Sequence, residues 1–167
     1  RRLDSQYDGV ETAYSGPETL DVLESTDVDV LLLDRRMPEM TGDEVLDEIR
    51  ERGYGCRVIM VTAVNPDFDI VDMPFDDYLQ KPIEKANLFA AIEQQRHAEQ
   101  FDSDLEQYFA ASSKIAVLEA DKSEAQLADN KKYQRLKANA QKLETDLESR
   151  VDEFDDAVTT FSSIDRT

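Results

Sequence analysis

The stretch VDVLLLDRRMPEMTG, Val28 to Gly42, joins an apolar run to a single carboxylate, Asp34, and then to a loop carrying a proline and a glycine. An apolar run of four to eight residues with turn signals on either side has the pattern of a strand buried on both faces, as in a parallel sheet. RVIMVT, Arg57 to Thr62, and FDDYL, Phe75 to Leu79, repeat that pattern further along the chain. Helix starts lie between the runs. Ser15 with Glu18 and Thr41 with Glu44 have capping-box spacing, and Gly53 stands just past the end of the second helix. Alternating strands and helices predict an α/β layer fold with right-handed crossovers. Ligands of such open sheets bind beyond the carboxyl ends of the strands, and Asp34, Thr62 and Lys81 all fall at that edge.

A carboxylate placed there can attack a phosphoryl group and hold it as an acyl phosphate, provided that cations and donors offset the meeting of two anions. Lys81 would supply charge and Thr62 a hydroxyl. A divalent cation would do most of the rest, and Mg²⁺ usually takes one or two further carboxylates. Singly, each residue has a blander reading. A strand-terminal Asp caps a turn, a Thr or Tyr in a strand is a strand former or core residue, and a Lys-Pro pair opens a helix. Their joint occurrence in this order favours the phosphoryl reading.

Three motifs carry a resemblance: D-x-x-M-P-x-M-x-G from Asp34 to Gly42, T-A at Thr62-Ala63, and Y-x-x-K-P from Tyr78 to Pro82. Residues 1–96 resemble the receiver domain of a response regulator. The resemblance implies a flavodoxin-like, doubly wound parallel sheet of strand order 2-1-3-4-5, with a histidine kinase as phosphoryl donor. It makes Asp34 the phosphoacceptor, Thr62 with Ala63 the switch, and Lys81 the phosphoryl-binding cation, joined to Pro82 through a cis peptide. Tyr78 becomes the aromatic that turns inward when Thr62 moves, and the backbone carbonyl of Arg36 joins Asp34 as a metal ligand. One departure stands out. Receivers begin with a strand ending in two adjacent acids that hold Mg²⁺, whereas Arg1 to Tyr7 reads as a helix tail leading into a second strand around Val10 to Tyr14. The expectation is therefore a receiver truncated at its amino end and lacking strand one. The acid pair is then absent, and Mg²⁺ binding belongs to the full-length receiver. Asp4 and Asp8, in a helix tail and a turn, are poor substitutes for that pair. Arg35 and Arg36 are read as solvated loop charges, with steering of a phosphoryl donor as the other reading. NPDFDIVDMP, Asn65 to Pro74, predicts a short fourth helix capped by Asn65, with Pro66 in its first turn and Pro74 as its stop. Its movement with the last strand would carry the output.

All five glycines and all five prolines lie at or before Pro82. The remainder, rich in Ala, Leu, Glu, Gln and Lys, reads as helix. Leu88, Phe89 and Ile92 give an amphipathic fifth receiver helix. Phe101, Leu105, Tyr108, Phe109, Ile115 and Leu118 continue a helical stripe, with a joint near residues 99–104. Asp121 to Ser123 reads as a turn, and Ser123 with Gln126 as the capping box of a second long helix. In that helix Leu136, Ala140, Leu143, Leu147, Val151, Phe154, Val158 and Phe161 recur at steps of three and four, which predicts an antiparallel helical hairpin or a short coiled coil. The stripe packs within the chain or pairs two copies; the long helix outruns its partner, so Val151 to Phe161 needs another cover. FDSDLEQYFAASSKIAVLEADKS and the helix after it resemble the HalX domain, a helical unit that follows receivers in halophilic archaea. The chain then divides into a receiver, 1–96, and a HalX-like all-α unit, 97–167. Proteins of this layout are commonly labelled transcriptional regulators.

The formal net charge is −19, which repels nucleic acid overall. Asp exceeds Glu and Lys is sparse, a balance suited to a salt-filled cytoplasm where repulsion is screened. KKYQRLKANAQK, Lys131 to Lys142, is the exception, with five cations and no acid. It reads as a solvated helix face or as a set of phosphate contacts, without helix-turn-helix or ribbon signals. The single Cys56 excludes an internal disulfide and fits a reducing cytoplasm. No apolar run approaches the roughly 20 residues that cross a membrane. His97 is the only histidine, which argues against a His-based triad or metal site. The favoured reading is a phosphorylation-controlled switch whose only chemistry is its own phosphorylation and dephosphorylation. Its partners would be a histidine kinase and a second copy, met through the fourth and fifth receiver helices or the C-terminal helix. The alternatives are a DNA-binding transcriptional regulator and an interaction scaffold with a degenerate receiver.

Overall fold

A computed structural model describes residues 6–98 and 102–167. All three apolar runs become strands: β1 (Val30–Leu33), β2 (Arg57–Thr62) and β3 (Asp77–Gln80). They lie parallel in the order β1-β2-β3, with Val30 opposite Arg57 and Ile59 opposite Asp77. Consecutive residues Val58, Ile59 and Met60 are fully buried, so both faces of the sheet are covered, as a continuous apolar run requires. Leu20 and Leu23 of α1 (Gly16–Ser25) and Val45, Leu46 and Ile49 of α2 (Gly42–Glu51) cover one face. Leu88, Ala91 and Ile92 of α3 (Lys85–Arg96) cover the other, against Ile59 and Leu79.

The helix ends follow their residues. Ser15 accepts from the Glu18 amide, Thr41 and Glu44 form a complete capping box, and Gly53 adopts φ 74° after α2. There the Tyr54 and Gly53 amides bond the carbonyls of Ile49 and Arg50, a Schellman closure that needs the left-handed residue. Local expectations fail at Val10 to Tyr14 and at the fourth receiver helix. Val10 to Tyr14 is irregular and Tyr14 is exposed; among the described residues no strand lies beside it, and extended residues become a strand only through ladder bonds. The helix tail expected over Arg1 to Tyr7 falls largely outside the described residues, and Gln6 and Tyr7 are not helical. The fourth receiver helix is one 3₁₀ segment, Phe68–Asp72, capped by Asp67 rather than Asn65. Pro66 therefore lies ahead of the cap.

The helical unit comprises α4 (Ser103–Asp121), α5 (Glu124–Asp129), α6 (Lys131–Arg150) and α7 (Phe154–Ser162). α4 and α6 are antiparallel: Arg150 at the end of α6 reaches Asp102 and Asp104 at the start of α4, while Tyr133 and Lys137 meet Glu119 near its end. The single long second helix is interrupted twice. Asn130 caps α6 with its side chain, and Glu153 turns left-handed at φ 62°, so α7 folds back. Phe161 stacks on Phe109 at 4.5 Å, and Phe154 joins Leu105 and Leu147. The apolar stripe from Val151 to Phe161 is thus covered by its own chain.

This unit sits on the receiver part. Val117, Leu118 and Tyr133 enter the same core as Ile70, Phe75 and Tyr78. The terminal residues return to the edge of β3, where the Gln80 amide donates to the Arg166 carbonyl. The Arg166 guanidinium, 4% exposed, grips the fully buried Asp77 carboxylate at 2.7 and 3.0 Å. Removing one member of a buried pair leaves an uncompensated charge, whereas replacing both with apolar groups is tolerated. Arg166→Met is expected to lower unfolding free energy by about 3–5 kcal/mol. Arg166→Met with Asp77→Leu should recover most of that loss, as read by urea denaturation.

Candidate functional site

Parallel strands end on one side, so Asp34 just after β1, Thr62 ending β2 and Lys81 just after β3 come together. The Lys81 ammonium donates to Asp34 Oδ2 at 2.8 Å, and the Arg36 amide donates to Oδ1 at 3.1 Å. The Lys81 amide bonds the Thr62 carbonyl, which fixes the start of the Lys81-Pro82 turn; that peptide is cis. The Thr62 hydroxyl accepts from the Val64 amide. Ala63, between them, is exposed at the site's rim. Partial burial alone would raise the Asp34 carboxyl, but Lys81, the Arg36 amide and the Thr62 hydroxyl outweigh it and hold the group below the ordinary carboxylate value. The result is an ionised carboxylate with about a third of its side chain open to solvent.

Gly42 explains how the loop after Asp34 closes. Its amide donates to the Arg35 carbonyl, and a Cβ there would collide with the Asp34 carbonyl oxygen, so only glycine lets α2 begin against the acceptor loop. Tyr78 is fully buried, packs on Phe75 and donates its hydroxyl to the Val64 carbonyl. Its ring therefore lies inside the core. Burial raises the Tyr78 hydroxyl, with the Arg35 guanidinium opposing.

Arg35 corrects its reading as a solvated charge. Its side chain is 10% exposed and forks onto Asp43 at 2.9 and 2.8 Å and onto Asp69 at 2.8 Å. Arg36 is exposed, as expected of a loop charge. The Arg166–Asp77 pair and the Arg35 fork are the polar features that the sequence pattern did not disclose. Their partners lie 89 and 34 residues away, beyond any local spacing rule. Among the described residues no group of three or more His, Cys, Asp or Glu side chains converges to hold a metal ion. Asp34 and the Arg36 carbonyl do not by themselves make a Mg²⁺ site.

The basic stretch of α6 is divided. Lys132 pairs with Asp72 at 2.6 Å and Lys137 with Glu119 at 3.1 Å, leaving Lys131, Arg135 and Lys142 exposed. Cys56 is buried, and burial pushes its thiol up. Among the described residues no helix is long and apolar enough to cross a membrane.

The family model of the response regulator receiver domain matches residues 2–93. The chain belongs to that family. A HalX domain follows over residues 97–164. A Haloferax volcanii protein, whose name marks it as a candidate transcriptional regulator, is 52% identical over 118 residues, covering 71% of this chain and 20% of that protein. The nitrate/nitrite response regulator protein NarL of Escherichia coli K12 is 35% identical over 88 residues, covering 51% of this chain and 41% of NarL. This chain therefore spans about a fifth and about two fifths of those relatives. Among solved structures, a CheY-like response regulator receiver domain protein of Methanospirillum hungatei superposes with a TM-score of 0.56 at 25% identity, over 59% of this chain and 82% of that one. A two-component response regulator of Clostridium difficile, at 22% identity and TM-score 0.55 over 60% of this chain and 84% of its own, shares the fold.

Because the Asp34 carboxyl is lowered on folding, its contribution to stability is present above the unfolded value of about 4 and lost as pH falls through the lower folded value. Solvent access keeps that contribution small. In Lys81→Met the Asp34 carboxyl should rise, because burial is then opposed only by the Arg36 amide and the Thr62 hydroxyl, measured by titrating the side-chain carboxyl carbon by NMR. An unmoved titration would show that Lys81 does not set the charge of Asp34.

Proposed function

We propose that this response regulator accepts a phosphoryl group from a histidine kinase on Asp34, within a receiver unit, 1–96, and relays the state through the helical unit, 97–167. The observation that carries the reading is the Lys81 ammonium at 2.8 Å from an ionised, solvent-reachable carboxylate at the carboxyl edge of the sheet. In the transfer an Asp34 carboxylate oxygen attacks phosphorus, and the bond from phosphorus to the kinase's imidazole nitrogen breaks. The imidazole leaves and takes up a proton. Lys81 offsets the charge on the transferred group, and Thr62 offers its hydroxyl to it. Ala63 keeps the rim open beside Thr62, Pro82 fixes the turn that aims Lys81, and Tyr78 reports the position of Thr62. Attack of water on phosphorus returns the carboxylate and inorganic phosphate. The protein is on this reading a regulator and not an enzyme acting on other substrates, and its single buried thiol suits a reducing cytoplasm.

Intact mass after incubation with a phosphorylated kinase, or with a small acyl phosphate, should show one added phosphoryl group that is absent in Asp34→Asn. Lys81→Ala should slow its appearance by about a hundredfold. A group retained in Asp34→Asn would overturn the assignment. A second reading, DNA binding, draws on exposed Lys131, Arg135 and Lys142 and on the regulatory names of the relatives. Neutralising those three cations should abolish a salt-dependent shift of promoter DNA; absence of any shift at low salt removes this reading. For a scaffold with a degenerate receiver, Asp34→Asn would leave partner binding and oligomeric state unchanged.

A further inference from the structure

We infer that Arg35 is a positioning residue that fastens the acceptor loop to the docking surface of the helical unit, so that a phosphoryl group on Asp34 loosens that docking. The inference rests on Asp34 being the acceptor. Arg35 is its immediate neighbour in the chain, and its guanidinium spans two elements. Two bonds go to Asp43 in the first turn of α2 and one goes to Asp69 in the 3₁₀ segment. The Tyr78 hydroxyl lies within its reach as well.

The 3₁₀ segment is the element with least stability of its own. Five residues cannot form a stable isolated helix, and 3₁₀ bonds are poorer than α-helical ones. It is held from both sides. Opposite Arg35, Lys114 of α4 donates to the Val71 carbonyl at 3.0 Å, Lys132 of α6 pairs with Asp72 at 2.6 Å, and Lys122 meets Asp67 at 3.5 Å. Ile70 fills the space between the segment and the core that Val117, Leu118 and Tyr133 enter. Docking of the helical unit and the place of Asp69 are thus one arrangement.

A phosphoryl group adds nearly two negative charges and three acceptor oxygens, and a guanidinium fork is the side chain best matched to them. Drawn toward that group, Arg35 leaves Asp69 without its cation. Asp67, Asp69 and Asp72 then crowd one short segment. Lys114, which burial makes costly as a cation, gains water once the segment shifts. Two states follow: fork on Asp69 with the unit docked, and fork on the phosphoryl group with the unit loosened.

Hydrogen exchange on the full chain tests this, with phosphorylation by a small acyl phosphate followed by intact mass in the same samples. The variants are Asp69→Asn, whose side chain is more than half exposed and leaves the core untouched, and Arg35→Lys, which keeps the charge and loses the fork. Basal exchange over residues 68–72 and 103–121 is expected to be about tenfold faster in both variants than in the wild type, the effect of losing one charge-assisted hydrogen bond. Phosphorylated wild type should match them, and phosphorylation should add nothing further in either variant. A bond that only stabilises the fold would speed exchange in the variants yet leave their response to phosphorylation intact, and that result would overturn the inference. So would full protection in wild type whose mass shows the phosphoryl group. If the mass shows no modification, the acceptor reading and the loosening fall together. The fastening is then decided by basal exchange in Asp69→Asn: faster sustains it, unchanged refutes it.

Discussion

Asp34 and Lys81 are 47 residues apart in the chain and 2.8 Å apart in space because three short strands run parallel and in register. That single constraint underlies the rest. Parallel pairing brings three carboxyl ends to one edge, and burial of both faces makes the sheet rigid enough to hold an ammonium against a carboxylate. It also forces the connections to cross over the faces, which puts α2 and the 3₁₀ segment beside the site. Lys81 needs no helix of its own; the bond from its amide to the Thr62 carbonyl carries the ladder one residue past β3 and sets the side chain in place.

The net charge of −19 sets the second condition. Acids are abundant on the helices and loops, so several cations become junctions between elements. Arg35 joins the acceptor loop, α2 and the 3₁₀ segment. Arg57 joins β2 to Glu106 of α4 at 2.6 Å, Lys114 and Lys132 join the helical unit to the 3₁₀ segment, and Arg166 joins the end of the chain to β3. Exposed pairs of this kind contribute little singly. Those shielded from water are directional, and they determine which surfaces of the receiver and the helical unit meet.

Because the helical unit covers the 3₁₀ segment, part of the surface that two copies would use is occupied within the chain. The apolar residues of α6 and α7 are likewise spent on α4 and on each other. Charge on α6 tells the same story, since the basic stretch is split between partners at the docking face and cations turned to solvent.

By itself the sequence determined the three strands, the capped starts of α1 and α2, the left-handed Gly53, the turn before Ser123 and the set Asp34, Thr62 and Lys81. Each is a local matter: an apolar run, a cap, a glycine where φ is positive, or a residue at the end of a strand. Tertiary structure decided the rest. Glu153 turns left-handed although no glycine marks it, since the return packs Phe161 on Phe109. Val10 to Tyr14 has strand-forming residues and is no strand, since among the described residues no strand lies beside it. Arg35 looks like a surface charge until Asp43 and Asp69 are brought to it, and Arg166 finds Asp77 across 89 residues. Local preference acts over a few bonds, whereas these partners meet only once the sheet has set the positions of the elements that carry them.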